Sequence, residues 1–436
     1  MTDLSIQPGI QPLQTRLELE KDDLVRIIGP ARIFVADGCI RILGLDICKG
    51  GATIINRYRS YCVKALSRSV VNIALGEGGS IERPNPGEEV INEWEAAAKA
   101  IVDRGGVALI LGPVESGKTS FSTLLSNIAL DVGKKPCVVD ADVGQGDLAP
   151  PTFIGMKCLD KKVLWLRDEK GDYLKFVGSV TPSHSSAMTK VVVGAVELVS
   201  KAKILGGDIV IVNTDGWFGD TNSIEYKYTL AKALSPSSIV VLGQDYCTAF
   251  ETMFRNSAIV YCLPRPRAVK ERSASDRRDL RKVNYQKWFS NMRKICVDIN
   301  SIALSGTCIL GGSALPSGEI TMLEKTLGVK IMYASRYSDL DVIMVPDNAM
   351  IPREAFENLG RRTIVVKPSN AKGVIAAITD KNLNEIGVGI IDEIDLNSGR
   401  LCILTESPKD IGGIIFGKIK LDDQWNDNIR YQKCVI

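Results

Sequence analysis

A single histidine, His184, occurs in 436 residues, so a histidine dyad and a multi-histidine metal site are both excluded. The eleven cysteines include no C-x-x-C pair. Their odd number and scattered spacing argue against a zinc cluster or a disulfide framework, and reduced, buried thiols are the expectation. No apolar run approaches the roughly 18 residues of a membrane-spanning helix. The opening MTDLSIQPGIQPLQ lacks the basic-then-apolar layout of a secretory leader. An intracellular chain with no membrane partner is expected, cytoplasmic in a prokaryote and nuclear in a eukaryote. Internal repeats and low-complexity segments are also missing. Net charge is nearly absent, at +3, but unevenly spread: residues 255–294 hold twelve Lys/Arg against three Asp/Glu. That local excess points to a polyanionic partner.

What remains is ordinary globular material, 45% hydrophobic and 24% charged, in a length that suits two to four domains. Residues 1–95 hold short alternating apolar runs (24–28, 31–35, 39–43, 53–56, 61–66, 70–74) broken by glycine, the pattern of a small N-terminal β-sandwich. Residues 96–295 alternate strand and helix patterns. Strands are expected at 107–111, 136–140, 163–166, 174–178, 208–213, 238–242 and 258–262, and near-continuous apolar runs such as Ile209 to Val212 fit a mostly parallel sheet covered on both faces. Residues 296–436 return to short β-like runs and read as a separate β-rich C-terminal domain. The predicted fold class is therefore α/β, with a central domain of mostly parallel sheet between two β flanks.

The chemistry concentrates in the centre. Gly112-Pro113-Val114-Glu115-Ser116-Gly117-Lys118-Thr119 matches G-x-x-x-x-G-K-[ST] between a predicted strand and a predicted helix. Glycines let such a loop turn its N–H groups onto one anion, Lys118 adds charge for the β- and γ-phosphates, and the Thr119 hydroxyl suits Mg2+. About twenty residues on, Asp140-Ala141-Asp142-Val143-Gly144-Gln145 ends a strand with two carboxylates spaced to share a face, suited to metal and proton duties. Gln145 is placed to orient the γ-phosphate or a water. Thr181-Pro182 precedes a long helix pattern, and alone is more often a cap and turn than a phosphate contact. His184 reads as a surface or capping residue. Asn213-Thr214-Asp215-Gly216-Trp217 closes another strand, and Trp217 either stacks a base at the sheet's mouth or fills a core. The basic segment runs from Arg265 to Lys282, and Asp276–Trp288 has helical spacing that sets Arg277 and Arg281 on one face, either a lid over phosphate or a solvated basic helix.

In this order, G-x-x-x-S-G-K-T, D-x-D-x-G-Q, T-P, N-T-D-G-W and R-S-x-x-x-R-R resemble the polynucleotide 5′-hydroxyl kinases shared by archaea and eukaryotes, whose members act in RNA processing. The resemblance is strong over the central domain and one of layout only over the flanks. It implies transfer of the ATP γ-phosphate to the 5′-hydroxyl of RNA, or of DNA, with ATP and Mg2+ bound. It assigns the loop residues Gly112 to Thr119 and Gln145 to the nucleotide, and Thr119 and Asp140 to the metal. Lys118, Asp142 as general base, and Arg272 and Arg277 of a lid spanning 265–289 become catalytic. Thr181 would clasp the acceptor's phosphate end and Trp217 would stack on its base. Asp23 is a weaker candidate for the ATP base, and RNA-processing proteins are candidate partners. The compact N-terminus looks more archaeal than nuclear. The alternatives are a GTP- or ATP-hydrolysing switch and an ATP-binding scaffold. The strand ending Gly243-Gln244-Asp245 lacks the lysine of the N-K-x-D element that guanine-specific switches carry.

Overall fold

A computed structural model describes residues 13–267, 271–309, 311–357, 359–396, 398–406, 410–427 and 429–431. The first twelve residues, read above for a leader, and residues 268–270 of the expected lid lie outside the described residues. The chain divides into two compact units: residues 1–142, 156–170 and 195–277 form one, and residues 143–155, 171–194 and 278–436 the other.

The first unit opens with two antiparallel sheets. One orders Leu13–Leu19, Ser69–Leu75, Ala31–Asp37 and Ala52–Ile55; the other orders Leu45–Cys48, Cys39–Ile42, Ser60–Ala65, Leu24–Ile28 and Ser80–Glu82. Strand Ala31–Asp37 buries Ile33 and Val35 and exposes Arg32 and Phe34, the period-two signature of a half-buried strand. The three strands that were not expected, Leu13–Leu19, Leu45–Cys48 and Ser80–Glu82, are short or polar edge elements whose pairing partners create them.

The same unit holds a parallel core of five strands: β1 (Gly106–Leu111), β2 (Pro136–Ala141), β3 (Ile209–Thr214), β4 (Ser238–Leu242) and β5 (Ile259–Leu263), ordered β2-β3-β1-β4-β5. Every residue of β2, β3 and β4 is buried, as expected of strands covered on both faces. Helix α1 (Lys118–Asp131) follows β1, and α2 (Thr221–Leu234) follows β3. Asp220 starts α2 with a capping box, accepting from the Ser223 N–H while the Ser223 hydroxyl accepts from the Asp220 N–H.

The strand expected at 163–166 does not form. Val163 is buried, but its N–H donates to Asn127 Oδ1 (3.0 Å) and its carbonyl accepts from Asn127 Nδ2 (2.8 Å). An α1 side chain thus replaces the ladder, and Leu166–Asp168 turns into a short 3-10 segment. A strand does form at Phe153–Cys158.

The second unit contains a sheet ordered Arg293–Asp298, Arg400–Thr405, Glu385–Asp395, Val374–Thr379, Gly413–Lys420 and Ala303–Ser305, and a four-stranded sheet from Ser313 to Val366. The β-rich reading overlooked helix Ser317–Leu327, whose Ile320, Leu323 and Leu327 pack on Ile331, Ile343 and Val345. Arg281, expected beside Arg277 on a lid face, is instead buried against Asp427, at 2.5 Å from Nε to Oδ2, and Tyr285 donates to the same carboxylate. Arg281 is a core ion pair of this unit, which corrects the lid assignment for that residue.

The cysteine expectation is overturned. Among the described residues, four pairs are disulfide-bonded: Cys39–Cys48, Cys137–Cys158, Cys247–Cys262 and Cys296–Cys402. Two of the pairs face each other across antiparallel ladders, Cys39 opposite Cys48 and Cys296 opposite Cys402. Register, which spacing along the chain does not reveal, brings them together. Cys62 is a buried free thiol whose pKa burial pushes well up.

Asn127 also donates to the Leu43 carbonyl (2.7 Å), so one buried amide ties the N-terminal β region and the 163 segment to α1. Asn127→Leu keeps the volume but strands three buried backbone groups. At about 1–3 kcal/mol for each unmet group, partly relieved by relaxation, stability should fall by about 2–4 kcal/mol in denaturant titrations; an unchanged midpoint would show the amide to be dispensable.

Candidate active site

β1 ends at Leu111, and the loop from Gly112 to Gly117 leads into the start of α1. Gly117 sits at φ +96, and a Cβ there would stand 2.6 Å from the Trp94 ring, so the position admits no side chain. Trp94 is fixed in turn by its Nε1 donating to the Pro264 carbonyl (2.9 Å) and by an edge contact with Phe121. A Cβ on Gly216 would meet Val114 Cγ2 at 2.6 Å, so the D-G-W turn lies directly on the phosphate loop.

Lys118 is 7% exposed, and its Nζ donates to the carbonyls of Gly112 (2.8 Å) and Pro113 (2.6 Å). Burial lowers its pKa to about 8; the Asp142 carboxylate resists that shift, while Lys227 and Arg272 add to it. The ammonium is held at the loop's mouth by dipoles rather than by an ion pair, which leaves it ready for an anion.

Beside it, Asn213 Nδ2 donates to Asp140 Oδ1 (3.0 Å) and to Thr119 Oγ1 (3.4 Å). The buried Asn213 Oδ1 and Ser116 Oγ have no hydrogen-bond partner among the described residues. A hydroxyl, a carboxylate and an unsatisfied amide oxygen at one spot are the hard oxygen donors that Mg2+ prefers, so the residues fit the metal. The two acidic residues are not equivalent. Asp140, at 1% exposure, ends β2 and also accepts from the Asp142 N–H (3.3 Å). Asp142 stands just past the strand, half-buried, and its charge reaches Lys118.

Asp215 faces inward. Its Oδ2 accepts from Lys227 Nζ (2.7 Å) and from the Tyr226 hydroxyl (3.0 Å), and its Oδ1 accepts from the Trp217 N–H (3.0 Å). Burial lowers the Lys227 pKa and raises that of Tyr226, with Asp215 supporting the ammonium and opposing the phenolate. Trp217 is half-buried: its ring stacks on Tyr226 at 5.9 Å and its Nε1 donates to Asp220 Oδ2 (2.6 Å). One face of the indole is therefore already occupied.

Glu115 adopts φ +62 and accepts from the Arg272 N–H (2.9 Å), with the Arg272 and Arg277 guanidinium groups 3.5 and 3.7 Å away. The structure thus brings Lys118, Thr119, Asp140, Asp142, Trp217, Arg272 and Arg277 into one unit. Gln145 and Thr181 belong to the other unit. There, Gln145 Nε2 donates to its neighbour's carbonyl (3.0 Å), and Thr181 shares hydrogen bonds with Ser179 and Ser183. Asp23, the candidate for the ATP base, accepts from the Glu20 N–H and closes a turn.

Sequence reasoning missed Asn213, Tyr226 and Lys227 as site residues. Asn213 left one signal, an amide at the end of an otherwise apolar strand. Lys227 left none, because it meets Asp215 only through the fold.

Residues 112–291 match the family model described as the mRNA cleavage and polyadenylation factor CLP1 P-loop. The polyribonucleotide 5′-hydroxyl-kinase of Pyrococcus horikoshii is 29% identical over 339 residues, covering 76% of this chain and 91% of the relative. That of Methanocaldococcus jannaschii is 28% identical over 72% of this chain and 87% of its own length. A CLP1 homolog of Culex quinquefasciatus is 28% identical over 48% of this chain and 52% of the relative. Among solved structures, the wild-type Clp1p–Pcf11p complex superposes with a TM-score of 0.62 at 16% identity, over 94% of this chain and 99% of the other, which shows the fold. The family model thus matches the central part of the chain, and the similarity to the two archaeal relatives extends over most of their length.

Proposed function

We infer that this chain is an ATP-dependent polynucleotide 5′-hydroxyl kinase that phosphorylates the 5′-hydroxyl of RNA. The archaeal relatives that carry that name align over nearly their whole length. The observation that carries the mechanism is the division of labour between two neighbouring carboxylates. Asp140 is buried and hydrogen-bonded beside Thr119, as a metal holder must be, and Asp142 is half-buried within electrostatic reach of Lys118, as a base must be.

In this reading the loop N–H groups and Lys118 hold the β- and γ-phosphates, and Thr119 and Asp140, with Asn213 behind them, hold Mg2+. Bound there, Mg2+ would neutralise charge on the nucleotide's phosphates. Asp142 takes the proton from the RNA 5′-hydroxyl as its oxygen attacks the γ-phosphorus in line. The bond to the β-phosphate oxygen breaks, and ADP and 5′-phosphorylated RNA result. Arg272 and Arg277 exchange Glu115 for the transferring phosphoryl group. Trp217 offers the acceptor base the face that Tyr226 does not cover. Gln145 is assigned to the γ-phosphate and Thr181 to the acceptor's phosphate end. DNA is a second candidate acceptor, and proteins of RNA processing are candidate partners. The three segments 1–95, 96–295 and 296–436 are assigned as N-terminal β, kinase and β-rich C-terminal parts.

Wild-type protein with γ-labelled ATP should label a 5′-hydroxyl oligoribonucleotide in preference to releasing phosphate to water. Lys118→Ala and Asp142→Asn should each lower labelling about a hundredfold or more, and survival of labelling in both would end this assignment. Arg272→Ala should lower kcat by a similar order with a smaller change in the KM for ATP; an equal loss in both would move that residue to ground-state binding.

Lys118 supplies a pH test. Its pKa near 8 means that the free protein holds the ammonium below that pH and loses it above. The kcat/KM for ATP should therefore fall as pH rises through about 8. Above that pH, ATP binding should take up a proton, seen by calorimetry in buffers of different ionisation enthalpy. No uptake at pH 9 would show that Lys118 keeps its proton without nucleotide.

A further inference from the structure

Glu115 does something that the phosphate loop alone does not require. The loop needs backbone N–H groups, Lys118 and Thr119, and the position of Glu115 could be any residue that tolerates φ +62. A glutamate is costly there on two counts: a side chain in the left-handed region is strained, and a carboxylate beside a triphosphate repels it. Yet Glu115 Oε1 is the acceptor for the Arg272 N–H at 2.9 Å, with Arg272 Nε at 3.5 Å and an Arg277 guanidinium nitrogen at 3.7 Å. The carboxylate is largely buried, at 15% exposure, and Arg272 is at 20%. Arg272 is also close enough to influence Lys118 electrostatically.

These three contacts join the third variable position of the loop to Arg272, just before helix Ala274–Phe289, and to Arg277 in its first turn. We propose that Glu115 is a positioning residue: it docks the arginine lid onto the phosphate loop through the Arg272 main chain and balances the two guanidinium charges while no phosphate is present. The inference rests on the kinase reading above. The two kinds of contact then have separate fates. The N–H bond to Glu115 does not compete with phosphate and fixes where the lid begins. The guanidinium contacts to the carboxylate, at 3.5 and 3.7 Å, are longer and can be exchanged for contacts to a more highly charged γ-phosphate held by the same loop. Repulsion between Glu115 and the nucleotide is offset by the arginines that Glu115 brings, so the residue favours transfer more than binding.

The test compares Glu115→Gly and Glu115→Gln with wild type. Glycine is at ease at φ +62, so the loop and the fold survive and the thermal midpoint holds or rises. Glutamine keeps an oxygen for the Arg272 N–H. In transfer to a 5′-hydroxyl oligoribonucleotide, Glu115→Gly should lose on the order of tenfold or more in kcat, with the KM for ATP within about twofold. Glu115→Gln should recover most of the loss. Without nucleotide, trypsin should cleave after Arg272 and Arg277 several times faster in Glu115→Gly than in wild type or Glu115→Gln. A glycine variant with wild-type kcat, or one whose loss lies in the KM for ATP, overturns the proposal, as does an unchanged tryptic pattern. If wild type itself fails to label RNA, the kinase reading falls, while the tryptic pattern still decides whether Glu115 docks the lid.

Discussion

One rung of the parallel sheet sets the chemistry of the first unit. Pairing of β2 with β3 places Asp140 directly beside Asn213, and pairing of β1 with β3 places Ile110, two residues before the phosphate loop, on the other side of Asn213. The Asn213 amide can then reach both the Asp140 carboxylate and the Thr119 hydroxyl at the start of α1. A slip of one residue in either ladder would turn Asn213 to the opposite face of the sheet, where neither partner lies. The apolar stretches of β1, β2 and β3, all but fully buried, make that slip costly. Burial of hydrocarbon thus aligns the oxygens proposed above to hold a metal.

The second constraint is the handling of buried charge. Lys118 and Lys227 are both buried, and the Lys227 charge depresses the affinity of Lys118 for a proton, yet they have opposite assignments. Lys227 has a carboxylate of its own in Asp215, together with the Tyr226 hydroxyl, and this closed group fixes the turn that carries Gly216 and Trp217. Among the described residues, Lys118 has only carbonyl dipoles within hydrogen-bond range. Neutralising one lysine internally and leaving the other to dipoles directs the available attraction to a single point in the loop, where an anion gains most. Glu115 applies the same logic to Arg272 and Arg277, with a partner that a more highly charged phosphate can replace.

Much of this was legible in the sequence, and what was not follows a pattern. The parallel strands announced themselves as continuous apolar runs, and Lys118, Thr119 and Asp140 sat in motifs whose spacing is fixed by a loop or a single strand. What escaped depends on register or on contacts between distant segments. Cys39 meets Cys48, and Cys296 meets Cys402, because ladders set them opposite each other. Val163 belongs to an apolar run that resembles a strand until a helix amide, Asn127, takes both of its backbone groups. Lys227 and Asp215 lie twelve residues apart with a helix start between them, and no local pattern predicts that they pair in the interior.

The basic segment shows where composition misleads. Its excess of arginine suggested one electrostatic purpose, but the structure divides it. Arg272 and Arg277 face a glutamate of the phosphate loop, at partial exposure, where a competing anion can reach them. Arg281, one helical turn beyond Arg277, is buried against Asp427 and Tyr285. An arginine with a buried, bidentate carboxylate is costly to extract and cannot serve a reaction that needs it to move. One with a longer, part-exposed carboxylate contact gives up that contact at less cost. The charge count was the same for all three residues, and the partner each one meets is what separates them.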